Sequence, residues 1–197
     1  GVRALADKYG CVLIFDEIRS GFRCAMGGAQ ALFGATPDLT TIGKAMANGY
    51  AIAALVGKRE YMKVLEKDVF LSSTFFPNSD AQVAALKTIE ILQRDKMLDV
   101  LAAKGNNFAQ QVEKVVADSG IPARFSGAPW MPFITFPRDE AGLYKKLRTE
   151  FYTQLIRRGV FLQPYHHGYI CYRHTDEDLA YTVQAIKDSL GELKSIV

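Results

Sequence analysis

Two stretches decide the reading of this chain: Val12-Leu13-Ile14-Phe15-Asp16-Glu17 and Thr41-Ile42-Gly43-Lys44. The first is an apolar run that ends in two carboxylates. The second is shorter and ends in Gly-Lys, with Lys44 standing 28 residues beyond Asp16. Short apolar runs of this kind read as buried strands of a parallel sheet. In open α/β sheets, chemistry gathers where such strands end. One site is therefore expected to receive an acid from one strand and an amine from the next.

Working outward, Cys11–Phe15 and Leu39–Ile42 read as strands, and Ala51–Val56 as a third buried strand closed by Gly57. Residues 19–35 are rich in Gly and small side chains, which suits a loop with one short helix. Lys58–Leu65 reads as a short helix, and Leu71–Ser79, with Pro77-Asn78, as a loop. From Asp80 to Gln93 the spacing of Val83, Leu86 and Ile89 turns helical. A second helix is predicted from about Lys96 to Ala117, closed by Gly120-Ile121-Pro122. The remainder reads as a small α+β domain. It has strands at Met131–Phe136, Val160–Leu162 and Tyr169–Tyr172, and a helix through Leu143, Leu147, Phe151 and Leu155. A final helix opens at the capping box Thr175-x-x-Asp178. The boundary is expected near residues 95–105, dividing the chain into 1–100 and 101–197.

Composition narrows the function classes. With 49% hydrophobic and 23% charged residues the chain is ordinary for a globular protein. Its formal charge of +3 is weak and its cations are scattered, which argues against nucleic acid as a partner. No apolar run is long enough to span a bilayer. The three cysteines, Cys11, Cys24 and Cys171, are far apart and form no Cys-x-x-Cys pair. A reducing cytoplasmic setting fits them, and a zinc site does not. The opening Gly1-Val2-Arg3-Ala4 carries no leader pattern. Ala4, Leu5, Ala6 and Tyr9 read as the end of a helix feeding a strand, so the chain is expected to begin inside a domain.

An amine and a carboxylate converging on one site is what pyridoxal phosphate (PLP) requires: a lysine for the Schiff base and an acid for the pyridine nitrogen. The neighbours sharpen this. The run Phe15-Asp16-Glu17-Ile18-Arg19-Ser20-Gly21-Phe22-Arg23, then Gly27-Gly28-Ala29-Gln30, then Thr36-Pro37-Asp38-Leu39-Thr40-Thr41-Ile42-Gly43-Lys44 resembles the class III PLP-dependent aminotransferases. Within them it is most similar to glutamate-1-semialdehyde aminomutase and its relatives. The resemblance covers the whole chain as roughly the second half of such an enzyme. It implies a fold-type I α/β architecture: part of the large, mostly parallel sheet domain, followed by the small C-terminal domain.

The resemblance also assigns roles. Lys44 matches the Schiff-base lysine that shuttles the proton, and Asp16 the carboxylate facing the ring nitrogen. Ile18 matches the aliphatic residue packed on the ring. Thr74 matches a threonine that binds the cofactor phosphate of the neighbouring subunit, with Ser73 as a rival. Alone, Lys44 reads as a solvated lysine, Asp16 as a turn cap, Ile18 as core and Thr74 as a polar loop residue. Glu17 reads equally as a site hydrogen-bonder or a loop support, and Gly43 as leaving room beside Lys44. No metal is expected. The implied partners are an amino donor, a carbonyl acceptor and a second copy of the chain sharing the sites.

Departures matter too. Only Gly49 of the family's turn after the lysine remains, in Asn48-Gly49-Tyr50. Arg23-Cys24-Ala25 replaces the Arg-Thr-Gly of the GABA and ornithine branch, which favours the aminomutase-like branch. Pro164-Tyr165-His166-His167-Gly168 and Arg173-His174 have neither metal-site nor triad spacing. Arg173 is a candidate for a substrate carboxylate. The family's phosphate-cradling loop and ring-stacking aromatic would lie upstream of residue 1. Two rival readings are a non-catalytic binding or dimerisation fragment and a response-regulator-like receiver; the two-helix connection and second domain argue against the latter.

Overall fold

The computed structural model describes residues 1–72, 74 and 78–197. These fall into two units, Gly1–Leu98 and Asp99–Val197.

In the first unit, helix α1 (Val2–Tyr9) ends at Gly10, whose φ of 64° closes it in the left-handed conformation. Three strands follow: β1 (Ile14–Asp16), β2 (Leu39–Ile42) and β3 (Ala54–Gly57). β1 and β2 run parallel, with Ile14 opposite Leu39 and Asp16 opposite Thr41. Helix α2 (Gly28–Phe33) lies between them in sequence, as a parallel crossover requires. β3 is antiparallel to β2, with Ile42 opposite Ala54 and Leu39 opposite Gly57. This corrects the expectation of a third buried strand at Ala51–Val56: only Ala54 of β3 is partly buried, while Leu55 and Val56 are exposed. An apolar run reports the tendency to be buried, and among the described residues little covers that strand. A short helix α3 (Arg59–Met62) continues into a 3₁₀ turn, Lys63–Glu66. Helix α4 (Ser79–Arg94) is capped by Asn78, whose side chain accepts from the Asp80 N–H at 3.0 Å. The unit's small core gathers Met46, Ala47 and Ala85 against Phe22, Ile42, Ile52 and Ile89.

The second unit has a fuller core. Helix α5 (Met97–Ser119) brings Phe108, Val112 and Val116 at four-residue spacing. Helix α6 (Leu143–Arg157) brings Leu147, Phe151 and Leu155 in the same way. Helix α7 (Asp176–Glu192) adds Leu179, Ile186 and Leu190. A two-stranded antiparallel ribbon, β4 (Arg124–Ser126) with β5 (Phe133–Thr135), contributes Ile134. The Tyr152 hydroxyl donates to the Ile134 carbonyl at 2.8 Å, so its burial leaves no orphan, and that burial pushes the phenol pKa upward. The capping box forms as expected: the Thr175 hydroxyl accepts from the Asp178 N–H, and the Asp178 carboxylate accepts from the Thr175 N–H.

The segments Val160–Leu162 and Tyr169–Tyr172, expected as strands, are not strands. The second and the residue before it are tied to the loop before β5 by two hydrogen bonds, Gly168 N–H to the Pro132 carbonyl at 2.8 Å and Ile170 N–H to the Trp130 carbonyl at 3.0 Å. Two bonds fix a position without building a ladder.

Candidate functional site

The C-terminal ends of β1 and β2 lie side by side because the two strands are parallel and in register. Asp16 is the last residue of β1, and Lys44 stands two residues beyond the end of β2. Neighbouring strands are about 4.8 Å apart, and Lys44 is the third residue after Thr41. The Cα atoms of Asp16 and Lys44 are therefore at most about 15 Å apart.

Each side chain is held differently. One carboxylate oxygen of Asp16, Oδ1, accepts from the Ile18 N–H at 3.0 Å and from the Thr41 hydroxyl at 3.4 Å. That oxygen caps the turn leaving β1. The other, Oδ2, has no hydrogen-bond partner among the described residues, and Asp16 is exposed rather than buried. Thr41 was not anticipated from sequence. Its role follows from strand register, which a single sequence does not display.

Lys44 is exposed, and its ammonium makes no hydrogen bond or ion pair among the described residues. Its backbone sits at φ 45°, in the left-handed region. A side chain there costs about 1–2 kcal/mol. Strain of this kind is found where a side chain must be aimed rather than merely accommodated. Gly43, by contrast, is not forced by space: a Cβ there would meet the Ile52 carbonyl at 3.4 Å and the Ala53 Cβ at 3.7 Å, which are ordinary contacts.

The loop after β1 is organised by Glu17, only 1% exposed. Its carboxylate accepts from the Ala29 N–H at 2.9 Å, the Gln30 N–H at 2.7 Å and the Ser20 hydroxyl. It thus caps the otherwise unpaired first turn of α2. Gly28 has φ 73°, and a Cβ added to it would lie 2.6 Å from a Glu17 oxygen. Glu17 is therefore the loop support of the two readings its sequence position allowed, and Gly28 exists to let that carboxylate in.

A second buried acid, Asp38, sits at the opposite end of β2. It accepts from the Leu13 N–H at 2.7 Å and pairs with Lys58 at 2.6 Å and Arg3 at 2.9 Å. Those donors hold its pKa well below the usual carboxylate range. It locks α1, β1 and β3 around β2 and leaves the other edge to Asp16 and Lys44.

Ile18 is half-buried beside Asp16. Thr74 lies exposed in a turn, and its rival Ser73 falls outside the described residues. In the second unit, the His166 and His167 rings stack 4.6 Å apart, and the Tyr169 hydroxyl lies 3.3 Å from His167 Nε2. Among the described residues, no group of three His, Cys, Asp or Glu side chains could hold a metal ion. No helix among them is long and apolar enough to cross a membrane.

The family model for aminotransferase class-III matches residues 1–195. The 3-aminobutyryl-CoA aminotransferase of Cloacimonas acidaminovorans (strain Evry) is 75% identical over 196 residues, covering 100% of this chain and 47% of that protein. The glutamate-1-semialdehyde 2,1-aminomutase of Nitratidesulfovibrio vulgaris (strain DP4) is 34% identical over 95% of this chain and 47% of its own length. Among solved structures, the PLP internal aldimine form of the FumI protein from Sphingopyxis sp. MTA144 superposes with a TM-score of 0.88 at 27% identity. That match covers 98% of this chain and 46% of the FumI chain. The chain spans about half the length of the relatives it matches. Parallel strands that deliver an acid and an amine to one edge, in a sequence matched by the family model almost from end to end, leave one assignment: the chain belongs to the class III aminotransferases.

Proposed function

We propose that the protein carrying this chain transfers amino groups with PLP held by Lys44, Asp16, Ile18 and Thr74. The single observation that supports this most is the juxtaposition of Asp16 and Lys44 at the paired C-terminal ends of β1 and β2. The donor set fits the coenzyme: a primary amine for an aldehyde and a carboxylate for a pyridine nitrogen, each with an atom unclaimed among the described residues. When bound, PLP supplies an aldehyde that captures amines and a ring that delocalises the electron pair left on carbon.

The chain's own residues do the rest. Lys44 Nζ would hold the coenzyme, and its amine would take and return the proton on the substrate carbon. Asp16 Oδ2 would accept from the ring nitrogen, while Oδ1 stays fixed by Ile18 and Thr41. The Ile18 side chain would pack against the ring. The Thr74 hydroxyl would donate to the phosphate of a neighbouring copy, which makes the working form a homodimer with shared sites; the unpaired cysteines favour a cytoplasmic setting.

For the substrate, the 75% identity to a 3-aminobutyryl-CoA aminotransferase favours a 3-aminoacyl-CoA thioester as amino donor, with a carbonyl compound as acceptor. Transfer within one molecule, as in the aminomutase relative, would use the same residues and has the weaker similarity behind it. Absorbance of the full-length protein with PLP tests the proposal. Lys44→Ala should lose the visible band of lysine-bound coenzyme. Asp16→Asn should keep the band and lose turnover by about a hundredfold or more. An unchanged spectrum in Lys44→Ala refutes the assignment. No band even in the wild type favours a non-catalytic binding role.

A further inference from the structure

We infer that Thr41 is a positioning residue for the coenzyme: its hydroxyl, acting through Asp16, keeps the proton on the pyridine ring nitrogen. This rests on the PLP reading above and deepens it.

A carboxylate tied by one donor still turns about the bond that carries it. Asp16 has two donors, and both meet the same oxygen. The Ile18 N–H, from the turn that leaves β1, donates to Oδ1 at 3.0 Å. The Thr41 hydroxyl donates to it at 3.4 Å from the neighbouring strand. The first tie is local to the turn, and the second crosses the sheet. Together they set the plane of the carboxylate and reserve Oδ2 for the coenzyme.

The placement of Thr41 follows from the sheet. Asp16 stands opposite Thr41 in the parallel register, and the Glu17 N–H donates to the Thr41 carbonyl at 2.9 Å, which fastens the two strands at this level. Thr40, one residue earlier, serves the opposite face, as strand alternation requires. It is buried, and its hydroxyl accepts from the Gln30 side chain at 3.4 Å. Two adjacent threonines thus have separate tasks, one toward α2 and one toward Asp16. Branching at Cβ restricts the rotamers of Thr41. Its hydroxyl makes no other hydrogen bond among the described residues. The neighbouring acid Glu17 does not compete, because its carboxylate is taken up by Ser20, Ala29 and Gln30.

A proton shared between a carboxylate and a pyridine nitrogen rests on the more basic of the two. A hydrogen bond donated to an ionised carboxylate favours its charged form, which leaves the proton on nitrogen. Removing that donor moves the proton toward the acid and frees the carboxylate to swing away from the ring. At 3.4 Å the bond is long for O–H···O, so the effect belongs at the modest end of the range.

The test loads the full-length protein with PLP isotope-labelled at its ring nitrogen and reads the nitrogen chemical shift near neutral pH, which reports directly where the proton lies. Thr41→Val keeps the branched shape that a strand favours and removes the hydroxyl. Its signal should move part of the way from the wild-type position toward that of Asp16→Asn. The dissociation constant of PLP from the apoprotein, measured by calorimetry, should rise about three- to tenfold. Thr41→Ser keeps the hydroxyl and should stay with the wild type in both readings. A Thr41→Val signal at the wild-type position beside a displaced Asp16→Asn signal overturns the inference whatever the affinity, because a residue that merely fills the strand does not move the proton. A Thr41→Ser signal that follows Thr41→Val overturns it as well. Wild-type signals in both Thr41→Val and Asp16→Asn would refute the role given to Asp16 itself, and this inference with it.

Discussion

Replacing Glu17 by glutamine changes one atom of a buried group and tests how the loop after β1 is held. The carboxylate of Glu17 faces two backbone donors, Ala29 N–H at 2.9 Å and Gln30 N–H at 2.7 Å, through different oxygens. Glutamine keeps one oxygen and presents an NH₂ where the other stood. Whichever way the amide turns, one backbone N–H then faces a donor. An orphaned buried donor costs about 1–3 kcal/mol. Losing the negative charge at the start of α2 adds about 0.3–1 kcal/mol. The Ser20 hydroxyl can rotate to donate or accept, so it adds nothing to the sum. The expected destabilisation is about 1.3–4 kcal/mol, local to residues 17–33. Amide hydrogen exchange reads it directly: protection at Ala29 and Gln30 should fall by about ten- to several-hundredfold, since each 1.36 kcal/mol is a factor of ten. Exchange at these two amides unchanged in Glu17→Gln, with a shift in urea midpoint equivalent to less than about 0.5 kcal/mol, would refute the capping role.

Two further outcomes follow from the packing and charge. Asp38 has its pKa held below the ordinary value by the Leu13 N–H first, then by Lys58 and Arg3. A depressed folded-state pKa contributes stability that is present above the unfolded carboxylate pKa of about 3.9 and is lost as pH falls toward the folded value. Urea midpoints should therefore drop below about pH 4, and Asp38→Asn should flatten that slope while lowering stability near neutrality; an unaltered pH slope in the variant would contradict the network. Phe151 is fully buried and packs edge-to-face against Phe136 at 5.6 Å and Tyr152 at 5.1 Å. Phe151→Ala should cost about 3–5 kcal/mol by denaturant unfolding of the second unit, and a loss below about 1 kcal/mol would mean that the core closes around the gap.

Much of the scaffold was legible because local signals coincide with local structure. β2 at Leu39–Ile42 follows from an apolar run after Pro37-Asp38. Helices α4 to α7 follow from apolar spacing, and α7 from its capping box. The placement of Asp16 and Lys44 at strand ends was legible for the same reason. What failed depends on partners distant in sequence. The antiparallel direction of β3 is invisible in Ala51–Val56, because an apolar run carries no arrow. Val160–Leu162 and Tyr169–Tyr172 have strand-like composition, but among the described residues the latter bonds to the loop before β5 through Ile170 alone, beside a second bond from Gly168. The Glu17 cap spans 12 and 13 residues, and the Asp38–Arg3 pair spans 35, so neither leaves a short-range signature. Gly28 shows the converse: a glycine conspicuous in sequence acquires its reason only when the buried carboxylate beside it is seen.

The most direct test is to reduce the full-length protein with borohydride in the presence of PLP, digest it and locate the modified lysine by mass spectrometry. A phosphopyridoxyl group is expected on the peptide that contains Lys44, and none in Lys44→Ala. A modification carried by another lysine, or persisting in that variant, would contradict it.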